Sequence, residues 1–168
     1  MNVLQVDTQS RKLTFHDEIM DCAIGRSGAC HSGQKQEGDG CTPLGRWPIR
    51  TVLFRPGRSL PSAAVTLPWR WVGGQDGWSD DPSDPSYNRP VRLPHGFSAE
   101  NLVRDDPLYD VIVALGHNDA PPDPGKGSAI FLHIWNDAKP TEGCVAIART
   151  DMDRLLPQLM PDDIVEIS

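Results

Sequence analysis

Apolar and polar residues alternate from the first positions of the chain. Val3-Leu4-Gln5-Val6 and Lys12-Leu13-Thr14-Phe15 read as two strands paired across the turn Thr8-Gln9-Ser10-Arg11. Met20 to Ile24 reads as a third strand that closes at Gly25. The glycine-rich segment Gly38-Asp39-Gly40-Cys41-Thr42-Pro43-Leu44-Gly45 predicts a turn cluster, with a strand following over Arg46–Phe54. Residues 73–94 are crowded with Gly, Asp, Ser and Pro and predict a long ordered loop, with Trp78 and Tyr87 pinning it to the body or lining a groove. Tyr109–Leu115 and Ser128–Trp135 are continuous apolar runs suited to buried strands. Thr150-Asp151-Met152-Asp153 signals a helix start with Thr150 or Asp151 as cap. Leu155, Leu156 and Leu159 would face the core, and Pro157 would end or kink the helix. Asp163–Ile167 supplies a last strand. The pattern predicts a mainly β chain, one domain over residues 1–168 with one or two short helices.

Composition narrows the function classes. With 168 residues, 38% of them hydrophobic, the chain can bury a real core. A formal net charge of −7 argues against nucleic acid as a partner, because such binders carry basic footprints. Short acidic clusters such as Asp80, Asp81 and Asp84 read as a solvated loop face. No apolar run is long enough to span a bilayer, and Met1–Asp7 shows no basic stretch leading into an apolar one, so no signal peptide is visible. Cys22, Cys30 and Cys41 show no C-x-x-C spacing. Free, buried or incidental thiols are the favoured reading, a disulfide among the three stays open, and neither a metal nor a cofactor is expected.

The fourth cysteine has different neighbours. Phe131-Leu132-His133-Ile134-Trp135 delivers a histidine on an apolar strand, and Pro140-Thr141-Glu142-Gly143-Cys144-Val145 delivers a thiol after a glycine turn. A nucleophilic Cys needs a base within reach of its sulfur, and Gly143 lets backbone amides approach a substrate carbonyl. Alone, His133 would read as a satisfied core histidine and Cys144 as a small buried hydrophobe. Together they read as base and nucleophile, with Gly143 shaping the site.

Several blocks resemble one known family. Thr42-Pro43-Leu44-Gly45-Arg46-Trp47-Pro48-Ile49, Tyr87-Asn88-Arg89-Pro90-Val91, Tyr109-Asp110-Val111-Ile112-Val113, Gly116-His117-Asn118-Asp119, Gly127-Ser128-Ala129-Ile130-Phe131-Leu132-His133 and Thr141-Glu142-Gly143-Cys144 are together similar to YkuD-type L,D-transpeptidase catalytic domains. The resemblance covers nearly the whole chain. It implies a β-sandwich, Cys144 as nucleophile, and His133 as base with its other ring nitrogen held by a backbone carbonyl such as that of Ile134. It also implies an oxyanion hole from the amides around Gly143 and Cys144. The implied partner is the peptidoglycan stem peptide, and the implied location is the periplasm or cell envelope.

Three departures stand out. Glu142 replaces the family's histidine before Gly-Cys, Ala146 replaces its arginine or asparagine two residues after Cys, and the segment between His133 and Cys144 is short. Glu142 is expected at the groove rim, contacting an acceptor amine or a base such as Arg89. Thr141, Glu142, His117, Asn118, Arg89, Trp135 and Trp78 are the candidate substrate-binding residues. For His117 and Asn118 strand-end turn chemistry is the alternative, and for Trp78 and Trp135 simple packing.

The implied reaction is attack by Cys144 on a peptide carbonyl between an L-centre and a D-residue, giving a thioester that an amine or water resolves. In a stem peptide that bond follows either the first-position L-Ala or the third-position diamino acid. The altered surroundings at Glu142 and Ala146 favour the first. Competing readings are an L,D-carboxypeptidase or other cysteine hydrolase, and a non-catalytic wall-binding module.

Overall fold

The computed structural model describes residues 1–168. Thirteen strands follow in order: β1 (Val3–Asp7), β2 (Lys12–Phe15), β3 (Glu18–Ala23), β4 (Ala29–His31), β5 (Thr42–Phe54), β6 (Trp69–Trp71), β7 (Asp76–Ser79), β8 (Pro90–Arg92), β9 (Ala99–Asn101), β10 (Val111–Leu115), β11 (Phe131–Ile134), β12 (Val145–Ile147) and β13 (Ile164–Ile167). A helix, α1, spans Arg149–Leu155.

Two long or bent strands close the sandwich. β5 pairs with β13 through Gly45–Pro48 and with β10 through Ile49–Phe54. β3 pairs with β2 over Glu18–Asp21 and then with β12 at Cys22 and Ala23. The pairing order β5-β10-β11-β12-β3-β2-β1-β13 therefore returns to β5, and neither edge of the sandwich is left open. β4 and β6 flank β5, and β8-β7-β9 form a separate three-stranded sheet.

Strand alternation divides the apolar residues between two cores. Val111, Val113 and Leu115 of β10, Leu132 and Ile134 of β11, and Val145 and Ile147 of β12 face the core between the sandwich sheets. On the opposite face of that sheet, Ile112, Ala114, Phe131 and Cys144 pack with Leu53, Leu102 and Tyr109, and Trp78 of β7 lies against them. The small sheet thus covers the outer face on which His133 and Cys144 lie.

Several boundaries differ from the sequence reading. Residues 73–94 contain β7 and β8 rather than a loop alone. Their short Gly- and Pro-punctuated strands show no usable period. β5 starts at Thr42, inside the expected turn cluster, because β4 supplies a parallel partner for Thr42–Leu44. The runs at 109–115 and 128–135 shorten to β10 and β11, and the last strand begins at Ile164. Ala148, in extended conformation, caps α1, not Thr150 or Asp151; both lie within the helix. Cys30 and Cys41 form a disulfide with Cα atoms 5.9 Å apart, the alternative left open beside the favoured free thiols; Cys22 and Cys144 are free. No helix is long and apolar enough to cross a membrane.

Candidate active site

His133 reaches the site through register. In β11 it pairs with Ile112 of β10 and Ala146 of β12, so its side chain leaves the sandwich core that Leu132 and Ile134 enter. Its Nδ1 lies 2.8 Å from the Ile134 carbonyl oxygen. A carbonyl only accepts, so Nδ1 carries the proton and Nε2 keeps its lone pair. The Tyr109 ring packs edge-on to the imidazole with centroids 5.3 Å apart. Burial drives the imidazole pKa down to about 4, with the Ile134 carbonyl opposing the shift.

Cys144 begins where β12 leaves the turn. Gly143 has φ +139, and a Cβ there would sit 3.0 Å from the Cys41 carbonyl oxygen, so this position admits glycine for two reasons. Thr141 Oγ1 accepts the Gly143 N–H at 3.1 Å and donates to the Cys144 carbonyl at 2.6 Å. The Thr42 hydroxyl reaches the same carbonyl at 3.4 Å. The turn that presents the thiol is therefore fixed by two hydroxyls.

The thiol donates to the Ala129 carbonyl at 3.2 Å and accepts the Phe131 N–H at 3.4 Å. It makes no hydrogen bond to His133. Burial, aided by the negative field of Glu100, pushes its pKa up to about 12, while the Phe131 amide favours the thiolate. The resting pair is consequently neutral thiol and neutral imidazole. Gly143 N–H is committed to Thr141, whereas the Cys144 amide has no partner within the protein. Of the two expected oxyanion donors, the Cys144 N–H is the one left without a protein partner.

His133 and Cys144 line one cavity of about 620 Å³. Trp135, Thr141, Glu142 and Gly143 line it too. Glu142 lies at its rim, where it is exposed and ion-paired to Arg26 at 2.7 Å, not to Arg89. Four of the sequence candidates fall outside the cavity. Trp78 packs edge-on to Phe131 at 5.1 Å and donates to Asn88. Arg89 donates to the carbonyls of Asn88 and Asp119. His117 is buried against Trp47 with Nε2 at the Lys126 carbonyl. Asn118 ties its own loop through Asp123 and Gly127. Most of their polar groups are spent on hydrogen bonds within the framework, whereas His117 Nδ1 is buried without a partner.

The sequence reading missed other residues that line the cavity: Lys35, Glu37, Asp80, Glu100, Arg104, Tyr109, Ser128 and Lys139. Lys35 is buried and paired to Asp39. Arg104 forms a two-pronged pair with Asp106 at 2.9 and 2.6 Å. Glu37 and Glu100 accept from Tyr87 and Tyr109, each at 2.5 Å. Tyr109 and Ser128 stood within the blocks that carry the family resemblance, whereas Lys35 gave no signal.

A thiol and an imidazole with a fixed tautomer lining one cavity, beside an uncommitted backbone amide, are the parts of a cysteine acyl-transfer site. The sequence matches the YkuD family, the L,D-transpeptidase catalytic domain, over residues 2–167, and the chain belongs to that family. Its structure is similar to that of L,D-transpeptidase 3 from Mycobacterium tuberculosis, with 12% identity and a TM-score of 0.45. The match covers 99% of this chain and 60% of that one. No curated protein matches the sequence.

Proposed function

We propose that residues 1–168 form an L,D-transpeptidase catalytic domain that cross-links peptidoglycan stem peptides through a thioester on Cys144. The reading is supported above all by one observation: His133 and Cys144 come from neighbouring strands onto the outer face of one sheet and line a single cavity.

In this proposal the Cys144 thiol leaves the Ala129 carbonyl and turns to His133 Nε2. Because the resting thiol holds its proton tightly, transfer to Nε2 accompanies formation of the C–S bond. The Phe131 amide answers the growing charge on sulfur, and the Cys144 amide answers the oxyanion. His133 then gives that proton to the departing amine, leaving a neutral thioester. An acceptor amine attacks it, C–N forms as C–S breaks, and the proton the amine loses returns through His133 to sulfur. Water in place of the amine would give trimming instead. The site of action would be the cell envelope, where the substrate lies.

One observation favours a second reading, a wall-binding module without turnover: the thiol is bonded to Ala129 and not to His133. Incubating the protein with purified muropeptides and analysing products by mass tests both. New dimers support the transpeptidase, shortened monomers alone support the hydrolase, and unchanged muropeptides that co-sediment with the protein support the inert module.

A further inference from the structure

The cavity wall facing the thiol carries unanswered negative charge. Glu37, Asp80 and Glu100 all line it, and none of the three forms an ion pair within the protein. Three of the nearby cations are already engaged, Lys35 by Asp39, Arg104 by Asp106 and Arg26 by Glu142; Lys139, which also lines the cavity, is exposed and in no ion pair. β7 and β9 bring the wall together. Trp78 lies opposite Glu100 in their register, and Asp80 follows two residues after Trp78, so Asp80 and Glu100 project from the same face of the small sheet.

Two atoms at this wall lack partners. Asp80 Oδ1 is buried and accepts no hydrogen bond. Ser128, only 7% exposed, lines the same cavity with its Oγ buried and unpartnered. Buried polar atoms are normally satisfied, so orphaned acceptors in an open cavity mark where a ligand's donors belong. A primary ammonium is the fitting group, having three donors, no acceptor and one positive charge. Burial, with Asp80 and Glu37 nearby, already raises the Glu100 carboxyl pKa, and a bound cation would relieve that.

We infer that Glu37, Asp80, Glu100 and Ser128 form a subsite for a primary ammonium group, through which the enzyme recruits a cationic amine acceptor. A wall carboxylate takes the ammonium's extra proton, and the neutral amine so formed attacks the thioester and loses its second proton through His133 as above. This deepens the transpeptidase proposal and rests on it for the fate of the amine. It also moves the acceptor role away from Glu142, whose charge Arg26 already balances at the exposed rim.

Asp80 gives the sharpest test because its side chain makes no bond that the fold needs. Calorimetric titration of the whole chain would compare Nα-acetyl-lysinamide, which carries a side-chain ammonium, with its Nα,Nε-diacetylated form. The charged ligand should bind and the neutral one should not. Asp80→Asn should raise Kd about tenfold or more, the scale of one charge-assisted hydrogen bond. Glu142→Gln, which removes an equal charge from the solvent-screened rim, should stay within about twofold. Equal binding of both ligands, no binding, or equal effects of the two substitutions would overturn the subsite. If the ammonium binds as described but no donor ever acylates Cys144, the transpeptidase proposal fails while the subsite stands. If Cys144 acylates and amine binding ignores Asp80, the subsite falls and the enzyme remains.

Discussion

The Cys144 thiol hydrogen-bonds to the Ala129 carbonyl at 3.2 Å, while His133 anchors its Nδ1 on Ile134 at 2.8 Å and leaves Nε2 for the cavity. The two groups share a cavity without sharing a hydrogen bond. With the thiol pKa near 12 and the imidazole near 4, no thiolate–imidazolium pair exists at rest. Reactivity has to be created by substrate, which protects the thiol from adventitious oxidation.

That state dictates the pH behaviour. His133 must be neutral to act as base, and its neutral form is lost only as pH falls through about 4. The acid limb of kcat/KM assigned to His133 should lie near that value, well below an ordinary imidazole. Iodoacetamide labelling of Cys144 should climb beyond pH 9, with Cys144→Ala correcting for Cys22. A labelling plateau at neutral pH would show a preformed thiolate. Stability has the matching sign. Between about 4 and 6.5 the unfolded chain takes up the proton that folded His133 refuses, so this group lowers stability as pH falls through that window.

Thr141 is expected to act as a positioning residue. Thr141→Val removes one hydroxyl that serves both Gly143 N–H and the Cys144 carbonyl. Two hydrogen bonds at about 1 kcal/mol each correspond to roughly a 30-fold fall in kcat. KM should hardly move, and Thr141→Ser should restore the rate. A change confined to KM would place Thr141 in substrate binding instead.

The Cys30–Cys41 disulfide should matter to the site through Gly143. Cys41 presents its carbonyl where a Gly143 Cβ would have to sit. Its closure of an 11-residue separation contributes about 3 kcal/mol in the chain-entropy account. Cys30→Ser should lower Tm, measured calorimetrically, and Cys22→Ser should leave activity intact. Gly143→Ala should cost about 1–3 kcal/mol of backbone strain and reduce turnover sharply. Wild-type turnover by Gly143→Ala would contradict the close approach to Cys41.

Much of this was legible in the residues and much was not. Cys144 was readable because a glycine turn precedes it, and His133 only through its coupling to that turn, since the run around it is continuously apolar. The β1–β2 hairpin followed from strict alternation. The disulfide was not readable, since spacing alone does not choose among three cysteines. β7, β8 and β9 are too short and too rich in turn residues to show a period, so Asp80 and Glu100 gave no sign that they reach the cavity. His117, Asn118 and Arg89 looked like groove residues because they are polar at strand ends. The fold spends most of that polarity on loop carbonyls instead, with His117 Nδ1 left unpartnered.

The donor bond is expected to follow from what stands beside His133. Ala146 pairs with it across β11 and β12 and offers neither cation nor amide to a donor carboxylate. A donor acylated at its third residue keeps a D-glutamate carboxylate upstream, whereas cutting after first-position L-Ala sends that carboxylate away with the leaving group. A charge-assisted hydrogen bond of about 1.5–3 kcal/mol is missing only for the former. Muramidase digestion and fragmentation of the dimers should find L-Ala joined to a diamino acid. Dimers joined only through third-position residues would refute this.

Acylation of Cys144 tests the central claim most directly. Intact-mass measurement of the protein quenched during turnover on muropeptides, followed by peptide mapping, should find the acyl adduct on Cys144. It should be lost in Cys144→Ala and strongly reduced in His133→Ala, whereas Cys22→Ser should keep it. An adduct on another residue, or dimer formation by Cys144→Ala, would contradict the account.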